Sequence, residues 1–218
     1  MGTLKPGLYA ITDDKLTPPN RLLASVEAAL RGGTVLVQYR SKTATDAERL
    51  QQARDLAALC QHWDVPLLIN DDPALAKRVQ ASGVHLGQDD CSLAKARRLL
   101  GDEAIIGITC HHQLHLAREA AGMGADYLAF GRFFNSTTKP GAPAAQATVL
   151  AQARDLSLPV TAIGGINVDN GGELIKAGAD MLAVVGGLFG GTDDDIEHKA
   201  RQLTGLFAKH HPLFTLQD

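Results

Sequence analysis

The polar residues that follow directly after short apolar segments are the residues of this chain that could do chemistry. Asp71 and Asp90 follow the third and fourth of eight such segments, and Arg40 and Lys42 follow the second. Mg²⁺ prefers oxygen ligands, and a protein commonly supplies one or two carboxylates while substrate phosphate and water complete the shell. These residue types predict a site where a divalent cation and basic side chains bind a polyanion such as a diphosphate.

Aspartate also caps helix N-termini, and this role gives an alternative interpretation. Each carboxylate has an aspartate neighbour, and we expect Asp72 and Asp89 to be the capping members of the two pairs. Under this alternative, Asp71 and Asp90 are also loop or cap residues. Arg40 and Lys42 then belong to an exposed basic turn that pairs with the acidic loops. The convergence of both charge signs after neighbouring segments favours a ligand site.

Two glycine pairs follow the last two apolar segments: Gly164–Gly165 and Gly186–Gly187. Glycine lets the backbone approach a ligand closely, and backbone N–H groups bind phosphate. The pairs therefore predict a phosphate site, with tight turns as the alternative.

The stretch 132–143 is the longest irregular connection, and such loops are often binding loops or lids. It contains three hydroxyls followed by a lysine, which could hold an anion. They are Ser136, Thr137, Thr138 and Lys139. A solvated turn is the alternative interpretation.

The elements that must position these residues are predicted by the apolar segments and the amphipathic segments between them. Several apolar segments lack polar residues almost throughout, as strands covered on both faces do. In segment 46–60, apolar residues recur at helical spacing. This alternation predicts one domain, residues 1–218, folded as an α/β (β/α)8 TIM barrel. The predicted strands are 8–12, 34–39, 66–70, 82–87, 104–109, 126–131, 158–163 and 181–186.

In a barrel of this kind, the carboxyl ends of all strands meet at one rim, where active sites are built. The scattered polar residues would then share one site. An open, doubly wound sheet is the alternative. It is disfavoured because Thr12-Asp13-Asp14-Lys15, and not Gly-x-Gly-x-x-Gly, follows the first strand.

Composition excludes several classes of protein. The chain has 218 residues, is 45% hydrophobic and has a formal net charge of -3, which argues against a general nucleic-acid binder. No apolar run approaches the roughly 20 residues that span a bilayer, and the first residues lack the apolar stretch of a signal peptide. Three cysteines without pairing or metal-like spacing suit a reducing compartment. We expect a cytoplasmic protein without membrane or nucleic-acid partners.

Three further groups have mainly structural interpretations. His111, His112 and His115 could share a transition metal, but surface histidines at a helix start are favoured because no glutamate base accompanies them. His85 alternates with Gly87 in the fourth strand, which predicts a barrel-interior side chain. Cys110 could be nucleophilic, but the sequence shows no convincing triad partner.

Seven short segments occur in an order that is specific when taken together. They are Leu8-Tyr9-Ala10-Ile11-Thr12-Asp13, Gln38-Tyr39-Arg40-Ser41-Lys42, Asn70-Asp71, His85-Leu86-Gly87-Gln88-Asp89-Asp90, Gly107-Ile108-Thr109-Cys110-His111, Ser136-Thr137-Thr138-Lys139 and Ala162-Ile163-Gly164-Gly165-Ile166. With these segments the chain resembles the thiamine-phosphate synthase family over essentially its whole length.

The resemblance implies a (β/α)8 transferase with two small-molecule substrates. One is the diphosphate ester of 4-amino-5-hydroxymethyl-2-methylpyrimidine, and the other is a hydroxyethylthiazole phosphate. The implied reaction requires Mg²⁺ and is dissociative: C–O cleavage gives a pyrimidine-stabilised cation, which the thiazole nitrogen captures. The products are thiamine phosphate and diphosphate. Whether the protein forms a homo-oligomer is left open.

The resemblance also implies roles for individual residues. Asp71 and Asp90 bind the metal ion. The residues that hold the pyrimidine diphosphate are Gln38, Arg40, Lys42, Asn70, Thr109 and Lys139, with Tyr39 and Ser41 beside them. Of these, the catalytic residues are Arg40, Lys42, Thr109 and Lys139. The thiazole phosphate is held by Ser136, Thr138 and Gly165, with Thr137 beside them, and by the backbone near Val185 and Gly186.

Two positions depart from the family pattern, and two other functions are weighed. Thr109 and Gly186 stand where members usually or often carry serine. A related thiazole tautomerase would not need the metal pair or the basic set. A non-catalytic protein that binds thiamine precursors would keep the pocket without turnover. The metal pair and the basic residues favour the synthase over the tautomerase.

Overall fold

Parallel strands close into a barrel in this protein. The computed structural model describes residues 4–135 and 145–214, and its sheet runs from the first strand to the eighth in sequence order and back to the first. The eight strands are β1 (Gly7–Ile11), β2 (Thr34–Tyr39), β3 (Leu67–Asn70), β4 (Gly83–Leu86), β5 (Ile105–His111), β6 (Tyr127–Gly131), β7 (Val160–Ile163) and β8 (Met181–Val184).

A helix follows each strand, which is the arrangement that a parallel barrel requires. Within residues 4–135 and 145–214, the α-helices are α1 (Leu22–Arg31), α2 (Asp46–His62), α3 (Pro73–Val79), α4 (Leu93–Leu100), α5 (Leu114–Gly122), α6 (Thr148–Ala153), α7 (Gly171–Lys176) and α8 (Asp193–His210). The predicted barrel is confirmed, and the closed sheet excludes the open doubly wound alternative.

The sequence patterns place the elements within a few residues of their observed bounds. The amphipathic segment predicted at 46–60 is part of α2, which continues to His62. Thr45 and Glu48 start this helix with a capping box, in which each side chain accepts from the backbone N–H of the other. Five strands, β3 to β7, begin one or two residues later than predicted. The strands β1, β4 and β8 end one or two residues earlier, and β5 continues to His111.

Strand alternation separates two apolar layers. Side chains such as Tyr9, Leu36 and Tyr127 fill the barrel interior, whereas Leu8 and Val37 belong to the layer that packs with the helices. Both layers are fully buried, so almost every strand residue faces an apolar environment. This explains why the strands read as continuous apolar segments.

A Gly-Ala-Asp sequence before β6 and β8 anchors the strand that precedes each of them in the chain. The Asp126 carboxylate accepts from the Ile106 N–H at 2.7 Å, and the Asp180 carboxylate accepts from the Val160 N–H at 2.8 Å. The two aspartates therefore fix the amino ends of β5 and β7. They hold the end of the barrel opposite to the polar strand tips.

Gly107 leaves the space that the Tyr127 ring occupies, and we expect its replacement to be costly. A Cβ atom there would lie 1.9 Å from Tyr127 Cζ. Gly107→Ala should lower the free energy of unfolding by about 1–3 kcal/mol, the usual cost of overpacking. Denaturant unfolding measures this loss.

The matched control is Gly205→Ala within α8, where an added Cβ meets nothing within 4 Å. Alanine in a helix interior should stabilise by up to about 1 kcal/mol relative to glycine. Equal stability of the two variants would contradict the packing assigned to Gly107.

Candidate active site at the barrel mouth

The structure brings the two predicted metal-binding carboxylates together. Asp71 follows β3 and Asp90 follows β4, and their carboxyl groups lie within hydrogen-bonding reach of each other. The Asp71 N–H donates to the His85 carbonyl at 2.9 Å, which ties the tip of β3 to β4. Asp90 is held from its own side, because its carboxylate accepts from the Gly87 N–H at 2.8 Å. The pair is therefore positioned by the backbone of both strands.

The electrostatics of the pair favour a bound cation. Loss of hydration raises the pKa of Asp71 to about 6, and the neighbouring Asp90 carboxylate adds to the increase. An amide hydrogen bond from Asn70 and the positive charge of Arg40 oppose it. Two carboxylates this close repel each other unless a proton or a cation lies between them. The donor set consists of oxygens, which suits Mg²⁺.

The predicted capping roles of the flanking aspartates have different outcomes. Asp72 caps α3, since its carboxylate accepts from the Leu75 N–H at 2.9 Å. The prediction for Asp89 is wrong: α4 begins at Leu93 after Ser92, so Asp89 lies in the turn before the cap position. Six residues, 87–92, separate the end of β4 from α4, and this length moves the cap position away from the acidic pair.

The basic segment after β2 is held against the tip of β1. The Thr12 hydroxyl accepts from the Arg40 N–H at 2.8 Å and donates to the Arg40 carbonyl at 3.1 Å. Asp14 accepts from the backbone N–H of Lys42 at 2.8 Å. Burial would raise the pKa of Asp14, but hydrogen bonds from residues 41–43 hold it below its ordinary value. This segment is therefore ordered by its backbone, and the Lys42 side chain stays exposed.

Gln38 and Tyr39 point to opposite sides of the barrel wall, as alternation predicts. The Gln38 amide lies in the interior, where it donates to the Tyr9 hydroxyl. Tyr39 packs with the helices, and its hydroxyl donates to Gln52 of α2 at 2.7 Å. The Tyr39 side chain is only 2% exposed and faces away from the mouth.

A chain of polar side chains crosses the barrel interior, and we call it the interior chain. From Gln38 it passes to Tyr9, then to Tyr127 at 2.9 Å between hydroxyl oxygens. The Tyr127 hydroxyl lies 2.7 Å from His85 Nδ1, and His85 Nε2 lies 2.9 Å from Thr109 Oγ1. His85 is thus an interior residue, as predicted.

The sequence analysis missed the two tyrosines of the interior chain. A signal exists, because Tyr9 and Tyr127 carry polar hydroxyls at strand positions that are otherwise apolar. Both side chains are at most 1% exposed, so their hydroxyls need partners inside the barrel.

The glycine pairs lie at the tips of β7 and β8, where two loops approach each other. Gly165 has a φ of +68°, and an added Cβ would lie 2.5 Å from the Asn135 carbonyl oxygen. At Gly187, a Cβ would lie 2.1 Å from the Ile166 carbonyl oxygen. Among the described residues, the N–H groups of Gly165 and Gly186 take part in no hydrogen bond. They are available to an anion, as a phosphate site requires.

The Gly186 position has room for a small side chain such as serine. An added Cβ there would meet only Leu16, at 4.0 Å. Four of the predicted binding residues lie outside the described residues: Ser136, Thr137, Thr138 and Lys139.

Metal clusters, membrane-spanning helices and reactive thiols are three other features that could indicate function in the described residues. They contain no group of three or more His, Cys, Asp or Glu side chains that could hold a metal ion. None of the helices in these ranges is long and apolar enough to cross a membrane. Burial raises the pKa of the Cys110 thiol to about 12, which makes it a poor nucleophile.

A surface cavity of about 510 Å³ lies between α2 and α3. It is lined by residues that precede β3 and β4, such as Pro66 and Ser82, so it opens at the amino ends of the strands. Conserved chemistry in barrels of this fold belongs to the opposite end. The cavity is therefore separate from the carboxylate pair.

Comparisons with known proteins agree with this geometry. A family model described as thiamine monophosphate synthase matches residues 8–188. A thiamine-phosphate synthase of Marinobacter nauticus is 64% identical over all of both chains. The same enzyme of Alcanivorax borkumensis is 54% identical, covering 92% of this chain and 94% of its own.

A solved structure supports the same assignment. The thiamine phosphate pyrophosphorylase of Pyrococcus furiosus superposes with a TM-score of 0.84 at 32% identity, covering 96% of this chain and 98% of its own. The resemblance inferred from the seven segments is confirmed, because these matches extend over nearly the whole chain. The chain belongs to the thiamine monophosphate synthase family.

Proposed function

We propose that the barrel mouth joins the pyrimidine diphosphate to the thiazole phosphate, with Mg²⁺ held by Asp71 and Asp90. Formation of thiamine phosphate by a transferase follows from membership of the family. The metal and the residue roles are the part that we propose. The observation that carries them is the convergence of Asp71 and Asp90 beside Arg40. The Asp90 carboxylate adds to the increase in the pKa of Asp71, and the positive charge of Arg40 opposes it.

Bound Mg²⁺ would neutralise charge that develops on the leaving diphosphate. The residues of this chain then have three tasks. Asp71 and Asp90 hold the cation, while Arg40 and Lys42 direct positive charge at the departing oxygens. Lys139 adds a third cation in this proposal. None of these tasks needs an acid, a base or a protein nucleophile.

The second substrate is proposed to bind across the mouth. The tips of β7 and β8 offer the N–H groups of Gly165 and Gly186 to its phosphate, with Ser136 and Thr138 as further ligands. The thiazole nitrogen would then face the pyrimidine carbon as the C–O bond breaks. Holding both reactants in one orientation removes much of the entropic cost of the bimolecular step.

The alternatives predict different behaviour. A tautomerase would have no use for the Asp71 and Asp90 pair, so the pair argues against it. A binding protein would hold both substrates without releasing diphosphate. We further propose a cytoplasmic site of action, in line with three free cysteines.

The experiment that tests the function is diphosphate release from purified protein with both substrates, with and without EDTA. We expect release only with both substrates and only with Mg²⁺ present. Binding of the pyrimidine diphosphate without turnover would support the non-catalytic alternative. Release that is unaffected by EDTA would contradict the metal role.

We expect the stabilisation by Mg²⁺ to grow with pH. The raised pKa of Asp71, about 6, means that the metal-free folded state binds this proton more tightly than the unfolded state does. That contribution is present below the ordinary carboxyl pKa and is lost as pH rises through about 6. Mg²⁺ binds the deprotonated pair and should replace the lost contribution.

Thermal unfolding of the protein without substrates measures this effect. The increase in Tm caused by Mg²⁺ should be larger at about pH 7.5 than at about pH 5. A difference of about 1 kcal/mol corresponds to about 2–4 °C for a chain of this size. Asp71→Asn should abolish the pH dependence. An equal increase at both pH values would contradict a carboxylate pair that exchanges a proton for the metal.

A further inference from the structure

The interior chain connects two residues of the mouth that lie on different strands. Gln38 stands on β2 and Thr109 on β5, and the three side chains between them belong to β1, β6 and β4. The bonds from Tyr9 to Thr109 measure 2.7–2.9 Å, within the range of normal hydrogen bonds. The hydroxyl and imidazole groups between the two ends are buried. Each of their protons must therefore be placed on a neighbour, since an unpaired buried donor costs about 1–3 kcal/mol.

Donor counting gives this chain one direction. The Gln38 Nε2 group can only donate, and it donates to Tyr9. Burial raises the pKa of Tyr9 and of Tyr127 above the ordinary phenol range, so both hydroxyls keep their protons. Tyr9 must then donate to Tyr127, and Tyr127 must donate to His85 Nδ1. A ring that accepts at Nδ1 carries its proton on Nε2, which donates to Thr109.

We propose that Tyr9, Tyr127 and His85 are positioning residues that set the hydrogen-bond direction of Gln38 and Thr109 at the mouth. The chain uses one N–H of the Gln38 amide and leaves the amide carbonyl oxygen as an acceptor. It also occupies the Thr109 oxygen and leaves the Thr109 hydroxyl proton as a donor. Among the described residues, neither the Gln38 carbonyl nor the Thr109 proton has another partner.

The hydrogen-bond direction of the interior chain suits the substrate of the proposed function. The role of this direction in substrate binding rests on that proposed function. The pyrimidine diphosphate carries an amino group, which donates, and phosphate oxygens, which accept. A carbonyl at Gln38 and an O–H at Thr109 complement those two groups. Rotating the Gln38 amide by half a turn would reverse every bond in the chain and would present the wrong partner at both ends.

The direction of the chain is tested first, without substrate. The protein is labelled with ¹⁵N-histidine, and His85 is assigned among the eight histidines by its absence in His85→Gln. Two-bond ¹H–¹⁵N correlations then report the tautomer of its ring. We expect a neutral ring protonated at Nε2. A ring protonated at Nδ1, or at both nitrogens, would overturn the proposal.

The coupling is tested by a double-mutant cycle on kcat/KM for the pyrimidine diphosphate. Tyr127→Phe and Thr109→Val each remove one hydroxyl with little change of shape. Each should lower kcat/KM about fivefold to tenfold, the effect of one hydrogen bond. If Tyr127 acts through Thr109, the double variant should lose less than about twofold more than Thr109→Val alone.

Additive losses, or no loss in Tyr127→Phe, would overturn the positioning role. Thr161→Val is the matched control, because the Thr161 hydroxyl is buried in β7 without a hydrogen-bond partner among the described residues. It should leave kcat/KM unchanged. Absence of diphosphate release from the wild-type protein would instead count against the proposed function, and the tautomer of His85 would still decide the direction of the chain.

Discussion

Asp71→Asn and Asp90→Asn should each reduce Mg²⁺-dependent diphosphate release by about 10²- to 10³-fold, the effect of losing one preorganised electrostatic group. Asparagine keeps the size of aspartate and an oxygen that can accept a hydrogen bond. It should therefore preserve the contact between residue 90 and the Gly87 N–H. It also tolerates the left-handed backbone of Asp71, whose φ is +62°. What each variant removes is negative charge at the metal.

The two variants should not be less stable than the wild type in the absence of metal. Loss of hydration is the main cause of the raised pKa of Asp71, and repulsion by Asp90 adds to it. Removing one carboxylate removes this repulsion, so Tm without Mg²⁺ should stay equal or rise. Such an exchange of stability for activity is common at functional sites. Steady-state kinetics and thermal unfolding of the same preparations measure both effects.

Asp89→Asn is the matched control, since Asp89 is an exposed aspartate in the same turn as Asp90. It should retain the wild-type rate and the wild-type response to Mg²⁺. Rates near the wild-type value in Asp71→Asn or Asp90→Asn would remove that residue from the metal role. A large decrease of Tm in either would assign it a structural role.

The fold could be predicted from the sequence because each strand of a parallel barrel is buried on both faces. Leu8 and Tyr9 face different layers, but both layers are apolar, so the strands appear as uninterrupted apolar segments. The polar residues at the carboxyl ends of the strands could be predicted for the same reason, because the chain leaves the apolar layers at these ends. Convergence of Asp71 and Asp90 then follows from the closure of the sheet.

The error at Asp89 comes from local geometry that periodicity does not contain. Asp89 lies beside Asp90, yet the turn places Ser92 at the start of α4. The turn between β4 and α4 moves the cap position three residues along the chain, from Asp89 to Ser92.

The interior chain could not be predicted from spacing. Its five members come from five strands, and contacts between residues as distant as Tyr9 and Tyr127 depend on the three-dimensional closure of the barrel. Their chemistry is visible in the sequence, but their adjacency is not. Donor counting needs that adjacency, which explains why the roles of Gln38 and Thr109 become specific only with the structure.

Arg40→Ala should lower kcat by about 10²-fold or more, because its charge lies close enough to the carboxylate pair to lower the pKa of Asp71. The backbone of residue 40 is held on both sides by Thr12, so the loop should keep its course without the side chain. The effect should fall mainly on kcat, since the guanidinium assists charge that grows as the diphosphate leaves. Arg40→Lys should recover part of the rate, because a lysine supplies the charge without the planar, bidentate donors.

Arg98→Ala provides the control, since Arg98 is an exposed arginine on α4. This variant has the same change in net charge, so any difference from Arg40→Ala reports the position of the charge. A loss confined to KM in Arg40→Ala would mean that Arg40 binds the ground state and the transition state equally. An unchanged kcat/KM would mean that the basic segment is only an exposed turn. A loss confined to KM would retain Arg40 in the site. An unchanged kcat/KM would leave Lys42 and Lys139 as the cations that the leaving group requires.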